Sequence, residues 1–559
     1  MAQEKTVELR IIQTSDVHGC FFPYDYINMT PAKGSMARVY SYVKKLRTIY
    51  GKNLLLLDNG DILQGQPTCY YCNYIKPESK NVAASIVNYM GYDAQTIGNH
   101  DIETGHNVYD KWIKEVDCPI LGANVIDKKT YKPYLQPYKM FVRDGVRIAV
   151  IGLLTPAIPY WLNEKLWSGL QFVNMTESAT YWLKYVKEKE SPDIIIGLFH
   201  SGRDGGITTT SYEENSIFKI ARDVPGFDLI LYGHDHQANK ECVTDISGNK
   251  VLCLNPSSNA EYVCDVSINI KLKNGTLYKK NIYGNIQDVT EQPVDEDFMN
   301  YFKDDIANVS SFVNRKIGTF INSIHTRDSY FGNSAFCDFI HNLQLKVTGA
   351  EVSFNAPLSF DTSVKAGDVH VHDMFKLYKY ENQIYTIRMT GKEIHDYLEM
   401  SYALWTNTMN KSSDHIMQIE RIDEHNGYGF KNLAFNFDSA AGIDYEVDVT
   451  KPYGKKITIF QMSDGAVFDE NKWYTVAMNS YRGNGGGELL TKGAGIPHNV
   501  LANRILYESE HDQRYYLMKE IKDADILNPQ PNKNWKFVPE NWTKPAIQRD
   551  KALLFSMTN

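Results

Sequence analysis

Val7-Glu-Leu-Arg-Ile-Ile-Gln-Thr-Ser-Asp16-Val-His18 is an apolar run that ends on two metal-ligand residue types. The same pattern returns four times. Leu54–Leu57 leads to Asp58-Asn-Gly-Asp61, and Ala94–Ile97 leads to Gly98-Asn-His-Asp101. Ile194–Phe199 leads to His200, and Leu229–Tyr232 leads to Gly233-His-Asp-His236. Short apolar runs bounded by turn residues read as buried strands. In an open α/β sheet, sites assemble in the loops at the carboxyl ends of the strands. Five loops arriving at one edge with Asp, His and Asn therefore predict one shared site.

The chain has 559 residues, which exceeds one typical core and sets two domains as the expectation. A hydrophobic content of 43% and a charged content of 23% are those of an ordinary globular protein. The formal net charge of −8 argues against a nucleic-acid polymer as partner. It leaves room for a small anionic substrate, because bound divalent cations invert the local charge. No stretch is long and apolar enough to span a bilayer. Met1-Ala-Gln-Glu-Lys-Thr lacks the basic start and apolar core of a leader. That fits a cytoplasmic protein or a chain that begins after a removed signal. Of eight cysteines, only Cys69 and Cys72 lie close together, and no second pair or histidine follows at zinc-site spacing. A disulfide and free thiols both remain open for that pair.

Up to about Ile286, strands alternate with amphipathic helices, as in a layered α/β domain. Met36, Val39, Tyr40, Val43 and Leu46 recur at helical spacing between Ser35 and Tyr50. Val251 to Ile286 reads as short antiparallel strands, with turns at Ser247-Gly-Asn249 and Lys273-Asn-Gly275. A charged helical stretch follows Glu291-Gln-Pro293 and marks the connection. The expected boundaries are residues 1–294 for the first domain, 295–319 for a linker helix and 320–559 for the second. In the latter, Ile384–Met389, Lys456–Gln461 and Trp473–Met478 read as strands, and Gly391–Leu398 reads as a helix start. Trp535 to Pro545, rich in Asn, Pro and Trp, reads as a tail over the surface.

Two cations held a few Å apart need a bridging carboxylate, flanking His, Asn or Asp, and an open position for water and substrate. Asp16-x-His18 lets alternate residues of one loop reach one ion. Asp61 is the natural bridge, with Gly60 allowing close backbone approach. Asn99 offers a neutral oxygen, and His234-x-His236 sends two imidazoles from one turn. Any one of these fragments is weak, because a lone His at a strand end is usually structural. Their joint order on successive strands is what separates a site from chance.

That order resembles the calcineurin-like metallophosphoesterases. Asp58-Asn-Gly-Asp61 with Gln64-Gly65, and Asp16-Val-His18-Gly19 leading to Tyr24-Asp-Tyr26, narrow the resemblance. They are similar to the periplasmic 2',3'-cyclic-nucleotide 2'-phosphodiesterase/3'-nucleotidase branch of the 5'-nucleotidase family. Gly391-Lys-Glu393, Gly442-Ile-Asp-Tyr445 and Asn479-Ser-Tyr-Arg-Gly-Asn-Gly-Gly486 extend it over nearly the whole chain. The resemblance implies an N-terminal four-layer α/β/β/α sandwich and a C-terminal α+β domain. It implies two divalent metal ions (Mn, Zn, Co, Ni or Fe). Asp16, His18, Asp61 and His236 would hold one, and Asp61, Asn99, His200 and His234 the other. His100 would be the catalytic histidine. Glu103 stands where 5'-nucleotidases carry an Asp that orients it.

On the substrate side, the resemblance places two aromatic rings around a nucleobase, at Tyr380 and Tyr481. Asn382, Arg482, Gly483, Asn484, Gly485 and Gly486 flank them as expected substrate-binding positions. Stacking on such rings suits any base, at about 1–3 kcal/mol each. Typical 5'-nucleotidases grip substrate with arginines in this domain, but Gly332–Asp338 and Ser353–Phe360 contain none. The expectation is hydrolysis of 2',3'-cyclic nucleotides and 3'-nucleotides by metal-activated water, with domain closure over the substrate. A 5'-nucleotidase or UDP-sugar hydrolase is the nearest alternative. A manganese-dependent sulfur-compound hydrolase and a non-catalytic nucleotide-binding protein lie further off. The same resemblance implies a periplasmic or secreted monomer.

Overall fold

Leu9 and Ile11 face one way from the strand Glu4–Thr14, while Arg10 and Ile12 face the other. The computed structural model describes residues 4–422 and 427–555. It shows this strand inside a six-stranded sheet. The order is Thr276–Asp288, Tyr262–Lys273, Glu4–Thr14, Leu54–Asp58, Ala94–Thr96 and Ile120–Leu121. The last four run parallel, with Ile11 opposite Leu55 and Leu57 opposite Ala94. A second six-stranded sheet has the order Asn239–Thr244, Lys250–Asn255, Leu229–Tyr232, Ile194–His200, Val146–Leu154 and Tyr138–Arg143.

The two sheets meet through Leu9, Ile11, Leu55 and Leu57 on one side and Ile148, Val150, Ile196 and Leu231 on the other. The helix Met175–Glu190 covers the far face of the second sheet with Ala179, Leu183 and Val186. The helix Met36–Tyr50 packs on Glu4–Thr14 and Leu54–Asp58. Ser35 caps it by accepting the Arg38 N–H at 3.3 Å. The result is the four-layer α/β/β/α sandwich that the family resemblance implied. Val251 to Ile286 departs from its expected reading. Lys250–Asn255 belongs to the second sheet, parallel to Leu229–Tyr232, while the hairpin 262–288 extends the first. Local turn signals gave the strands but could not say which sheet each would join.

The chain divides into two compact units, Met1–Val313 and Asn314–Asn559. The helices Glu296–Tyr301 and Lys303–Val313 thus lie within the first unit. The second unit is α+β. Its five-stranded sheet has the order Ser439–Ala441, Val352–Asn355, Trp473–Asn479, Gln383–Thr390 and Ile505–Asp512. The helix Gly391–Trp405 starts on a capping box, Thr390 with Glu393. Trp535–Val538 is no surface tail. It pairs in parallel with Ile443–Asp448 and buries Trp535 and Phe537, and the helix Glu540–Phe555 follows. Alternation of the two aromatics with Lys536 and Val538 outranks the loop-like composition.

His341, on the helix Ala335–Thr348, is fully buried between the hydroxyls of Ser353 (2.9 Å) and Ser439 (3.1 Å). Burial pushes its pKa down to about 3, whereas an unfolded imidazole titrates near 6.5. The unfolded state therefore takes up the proton first as pH falls. The stability held above about pH 6.5 is lost toward pH 3, by up to about 1.4 kcal/mol per unit. Urea unfolding of His341→Asn against wild type, from pH 7 to 4.5, should show a shallower acid loss in the variant. Parallel pH profiles would contradict this account.

Candidate metal centre

The loops leaving the parallel strands are tied to one another before any side chain is considered. Asp16 N donates to Gly60 O and His18 N to Asp61 O, both at 3.0 Å. The Asp101 carboxylate accepts the backbone N–H groups of Asp61, Ile62, Leu63 and Gly98 at 2.8–2.9 Å. Asn59 Nδ2 reaches Phe199 O at 2.8 Å and joins the two sheets. There is no room for a larger residue here. A Cβ on Gly98 would sit 2.1 Å from Asp61 Oδ1, and one on Gly60 would sit 2.5 Å from Gly98 N.

Asp16, His18, Asp61, His234 and His236 all adopt positive φ, between 48° and 78°. Non-glycine residues rarely do so, and the strain gathers at functional sites. The backbone turns each side chain inward. The ligating atoms of Asp16, His18, Asp61 and His236 lie within 4.8 Å of one another, as do those of Asp61, His200 and His234. Asp61 belongs to both groups. His200 Nε2 is 3.3 Å from Asp61 Oδ2, and Asn99 Oδ1 is 3.1 Å from the same nitrogen. His236 Nε2 is 3.3 Å from Asp16 Oδ1.

The ring orientations are set from behind. His18 Nδ1 faces Gln64 O at 3.2 Å and His200 Nδ1 faces Asn59 O at 2.6 Å. A carbonyl can only accept, so both Nδ1 atoms carry hydrogen and both Nε2 atoms point inward, where each offers a lone pair to a cation that replaces its proton. His18 Nε2 meets His236 Nε2 at 3.0 Å. Asp61 Oδ2 is buried without a hydrogen-bond partner. Lone pairs and an orphaned carboxylate oxygen converging on one region fit divalent cations.

The electrostatics agree. Burial alone would raise the Asp61 carboxyl, but His200, His100 and His18 hold it well below the carboxylate range. Burial opposes ionisation of Asp16 too, yet His236 and His200 bring it down to about 2. Burial disfavours the charged form of His200, while Asp61 and Asp16 raise it to about 10. His18, desolvated and less tightly held by Asp61, falls to about 4. The buried carboxylates thus call for positive charge, and a proton on His200 supplies it where a cation would.

His234 is oriented by a residue the sequence reading missed. Glu214 Oε1 lies 3.1 Å from His234 Nε2, which leaves Nδ1 for the cluster. Glu214 Oε2 accepts the Ile207 N–H at 2.7 Å. Its hairpin, Gly205–Thr208 with Glu213–Asn215, carried no motif that could have flagged it. His100 sits beside the cluster, its backbone N–H on Asp61 Oδ1 at 2.8 Å and its ring edge-on to His18. Glu103 Oε2 is 2.5 Å from His100 Nδ1, so the longer acid does make the contact.

In the second unit, Tyr481 lies on the short helix Ser480–Gly483, capped by Asn479, with its ring against Gly486. Tyr380 follows the helix Val371–Leu377. Two expected substrate contacts turn inward instead. Arg482 is 2% exposed and bonds Asp438 through Nε and Nη2 at 3.1 Å, with Asn436 Oδ1, Gly486 O and Phe435 O taking its other hydrogens. Asn382 is buried and accepts the Tyr378 hydroxyl at 3.1 Å. Both hold the loops that carry the tyrosines. Gly483 and Gly486 face the rings of Tyr385 and Tyr481, where a Cβ would come within 2.5 Å. Gly485 has φ +106° beside His498, and Asn484 caps the short helix.

The fold and site together define a metal-dependent phosphoesterase. Residues 9–238 match the calcineurin-like phosphoesterase family, and residues 316–492 match the 5'-nucleotidase C-terminal domain. A Staphylococcus aureus candidate 5'-nucleotidase, solved with alpha-ketoglutarate, shares the fold. Its TM-score is 0.76 at 20% identity, over 95% of this chain and all of that one. The trifunctional nucleotide phosphoesterase protein YfkN of Bacillus subtilis is 27% identical across 97% of this chain, which spans only 40% of that protein's length. A 2',3'-cyclic-nucleotide 2'-phosphodiesterase/3'-nucleotidase of Haemophilus influenzae is 27% identical across 96% of this chain and 89% of its own. The chain thus carries a calcineurin-like phosphoesterase domain followed by a 5'-nucleotidase C-terminal domain.

Two outcomes follow from this geometry. Glu214→Ala should weaken divalent-metal binding about 10- to 100-fold in titrations of metal-free protein, the usual loss of a ligand's orienting partner. Unchanged affinity would mean that His234 needs no such partner. Arg482→Met should destabilise the second unit by about 3–5 kcal/mol in urea unfolding, because it strands Asp438 as a buried charge. A loss below about 1 kcal/mol, the scale of an exposed pair, would refute the buried-network account.

Proposed function

We propose that this protein is a dinuclear metal-dependent phosphoesterase that hydrolyses 2',3'-cyclic nucleotides and 3'-nucleotides. The observation that carries the reading is the pair of ligand groups sharing Asp61, with His100 at their edge. Asp16, His18, Asp61 and His236 would hold one ion, and Asp61, Asn99, His200 and His234 the other. Bound divalent cations supply Lewis-acid charge neutralisation and lower the pKa of water. Imidazole, carboxylate and amide oxygen together accept Mn, Zn, Co, Ni or Fe.

The remaining work falls to the chain. Glu103 holds the ring through His100 Nδ1, so that Nε2, when protonated, can donate to a phosphoryl oxygen or to the departing ribose oxygen. Water oxygen bonds to phosphorus, the bond from phosphorus to O2' breaks, and the 2'-oxygen takes a proton. A 3'-phosphate results, and a second hydrolysis releases inorganic phosphate. Tyr380 and Tyr481 would stack on the base. The choice of cyclic and 3' substrates rests on the Haemophilus influenzae relative and on the arginine-free segments 332–338 and 353–360. The 5'-nucleotidase reading has support of its own. A Vibrio cholerae 5'-nucleotidase is 31% identical over 42% of this chain. Among the described residues no helix is long and apolar enough to cross a membrane. A periplasmic or secreted location and a monomeric state belong to the same proposal.

The test is turnover of 2',3'-cyclic AMP, 3'-AMP, 5'-AMP and a UDP-sugar by Mn²⁺-loaded protein, with a chelator control. Chelator-sensitive release from the first two should dominate. Dominant 5'-AMP hydrolysis would overturn the substrate assignment, and no release from any of the four would overturn the enzyme assignment. His100→Ala should lower kcat about 10²- to 10³-fold, the usual loss of one charge-stabilising donor, with metal content unchanged.

A further inference from the structure

A separate group of ligand-type side chains lies in the second unit, on Asp368-Val-His370-Val-His372-Asp373. The strand Gly367–His370 runs directly into the helix Val371–Leu377. Val369 and Val371 are fully buried. The intervening His370 and His372 are partly exposed, with their rings parallel (6° apart) and their centroids 5.5 Å apart. Asp373 is buried beneath them. Its Oδ2 accepts the His370 backbone N–H at 2.9 Å, and its Oδ1 lies 3.4 Å from His372 Nδ1. The ligating atoms of all three residues lie within 4.8 Å of one another. None is shared with the groups around Asp61.

We propose that His370, His372 and Asp373 form a further binding site for a transition-metal ion of the zinc, nickel or copper kind. Two imidazoles and one carboxylate are the donor set such borderline ions prefer over Mg²⁺ or Ca²⁺. Tetrahedral donors at zinc lie about 3.4 Å apart, so the side chains need only close a short gap. The backbone beneath them is already set, because Asp373 and the His370 N–H close the capping box that starts the helix. The competitor is also visible. Lys376 Nζ is 3.1 Å from Asp373 Oδ1, and an ion must displace that ammonium. Water or a further side chain would complete the coordination. An ion here would tie the strand to the helix that leads to Tyr380. The inference stands whether or not the phosphoesterase substrates are assigned correctly.

The experiment is Zn²⁺ titration of the full, metal-free chain, with bound metal counted after desalting. Wild type is compared with His370→Gln/His372→Gln and with Lys376→Met. Cu²⁺-loaded protein is examined in parallel by electron paramagnetic resonance. The double variant should bind one equivalent less than wild type and lose the nitrogen coupling assigned to these imidazoles, while keeping its unfolding midpoint. Lys376→Met should bind that equivalent at least twofold more tightly, because the ion no longer has to displace an ammonium from Asp373. Equal stoichiometry in wild type and the double variant would overturn the proposal. Unchanged or weaker binding in Lys376→Met would show that Asp373 is not a ligand.

Discussion

Asp61 is the constraint on which the first unit's site depends. Its carboxylate is buried, belongs to two ligand groups at once, and leaves Oδ2 without a hydrogen bond. An isolated carboxylate cannot stay ionised in such a place, because desolvation opposes the charged form. Here the histidines around it hold the charge in place, and His200 takes up the proton. That is the electrostatic form of a site built for cations. Neutral side chains of the same shape would satisfy the packing, but they would have no use for this ring of imidazoles.

Holding Asp61 there demands support that does no chemistry. Asp101 spends its carboxylate on four backbone N–H groups, and Gly60 and Gly98 let two loops cross where no Cβ fits. Five of the candidate ligands sit at positive φ. Each such residue costs of order 1 kcal/mol, and the cost persists only where the surroundings over-determine the conformation. The core between the sheets provides that rigidity. Leu9, Ile11, Leu55 and Leu57 on one sheet and Ile196 and Leu231 on the other fix the strands whose ends carry the loops.

What could be read from the sequence follows from periodicity. Leu54–Leu57 and Ile194–Phe199 are buried on both faces, so their continuous apolar runs announced parallel strands, and the residue after each run announced the site. The partners behind the ligands were invisible. Glu214 meets His234 only because a hairpin folds back, and Lys250–Asn255 joins the second sheet through non-local pairing. Arg482 is the instructive case. Its place in Tyr-Arg-Gly-Asn-Gly-Gly suggested a substrate contact, but burial decides the matter, and Asp438, forty-four residues away in sequence, takes the guanidinium. Trp535 and Phe537 misled in the opposite direction, since Asn- and Pro-rich neighbours disguised a core strand.

The inward turn of Arg482 bears on selectivity. A guanidinium committed to Asp438 and three further acceptors has no donor left for phosphate. Segments 332–338 and 353–360 carry no arginine either, so the proposed base contact at Tyr481 rests on the ring and the small residues beside it. Under the proposed function such a contact would act by stacking, which every base satisfies. Discrimination among phosphate esters would then fall to the metal-side geometry, to the reach of His100 and to the fit of the ribose ring.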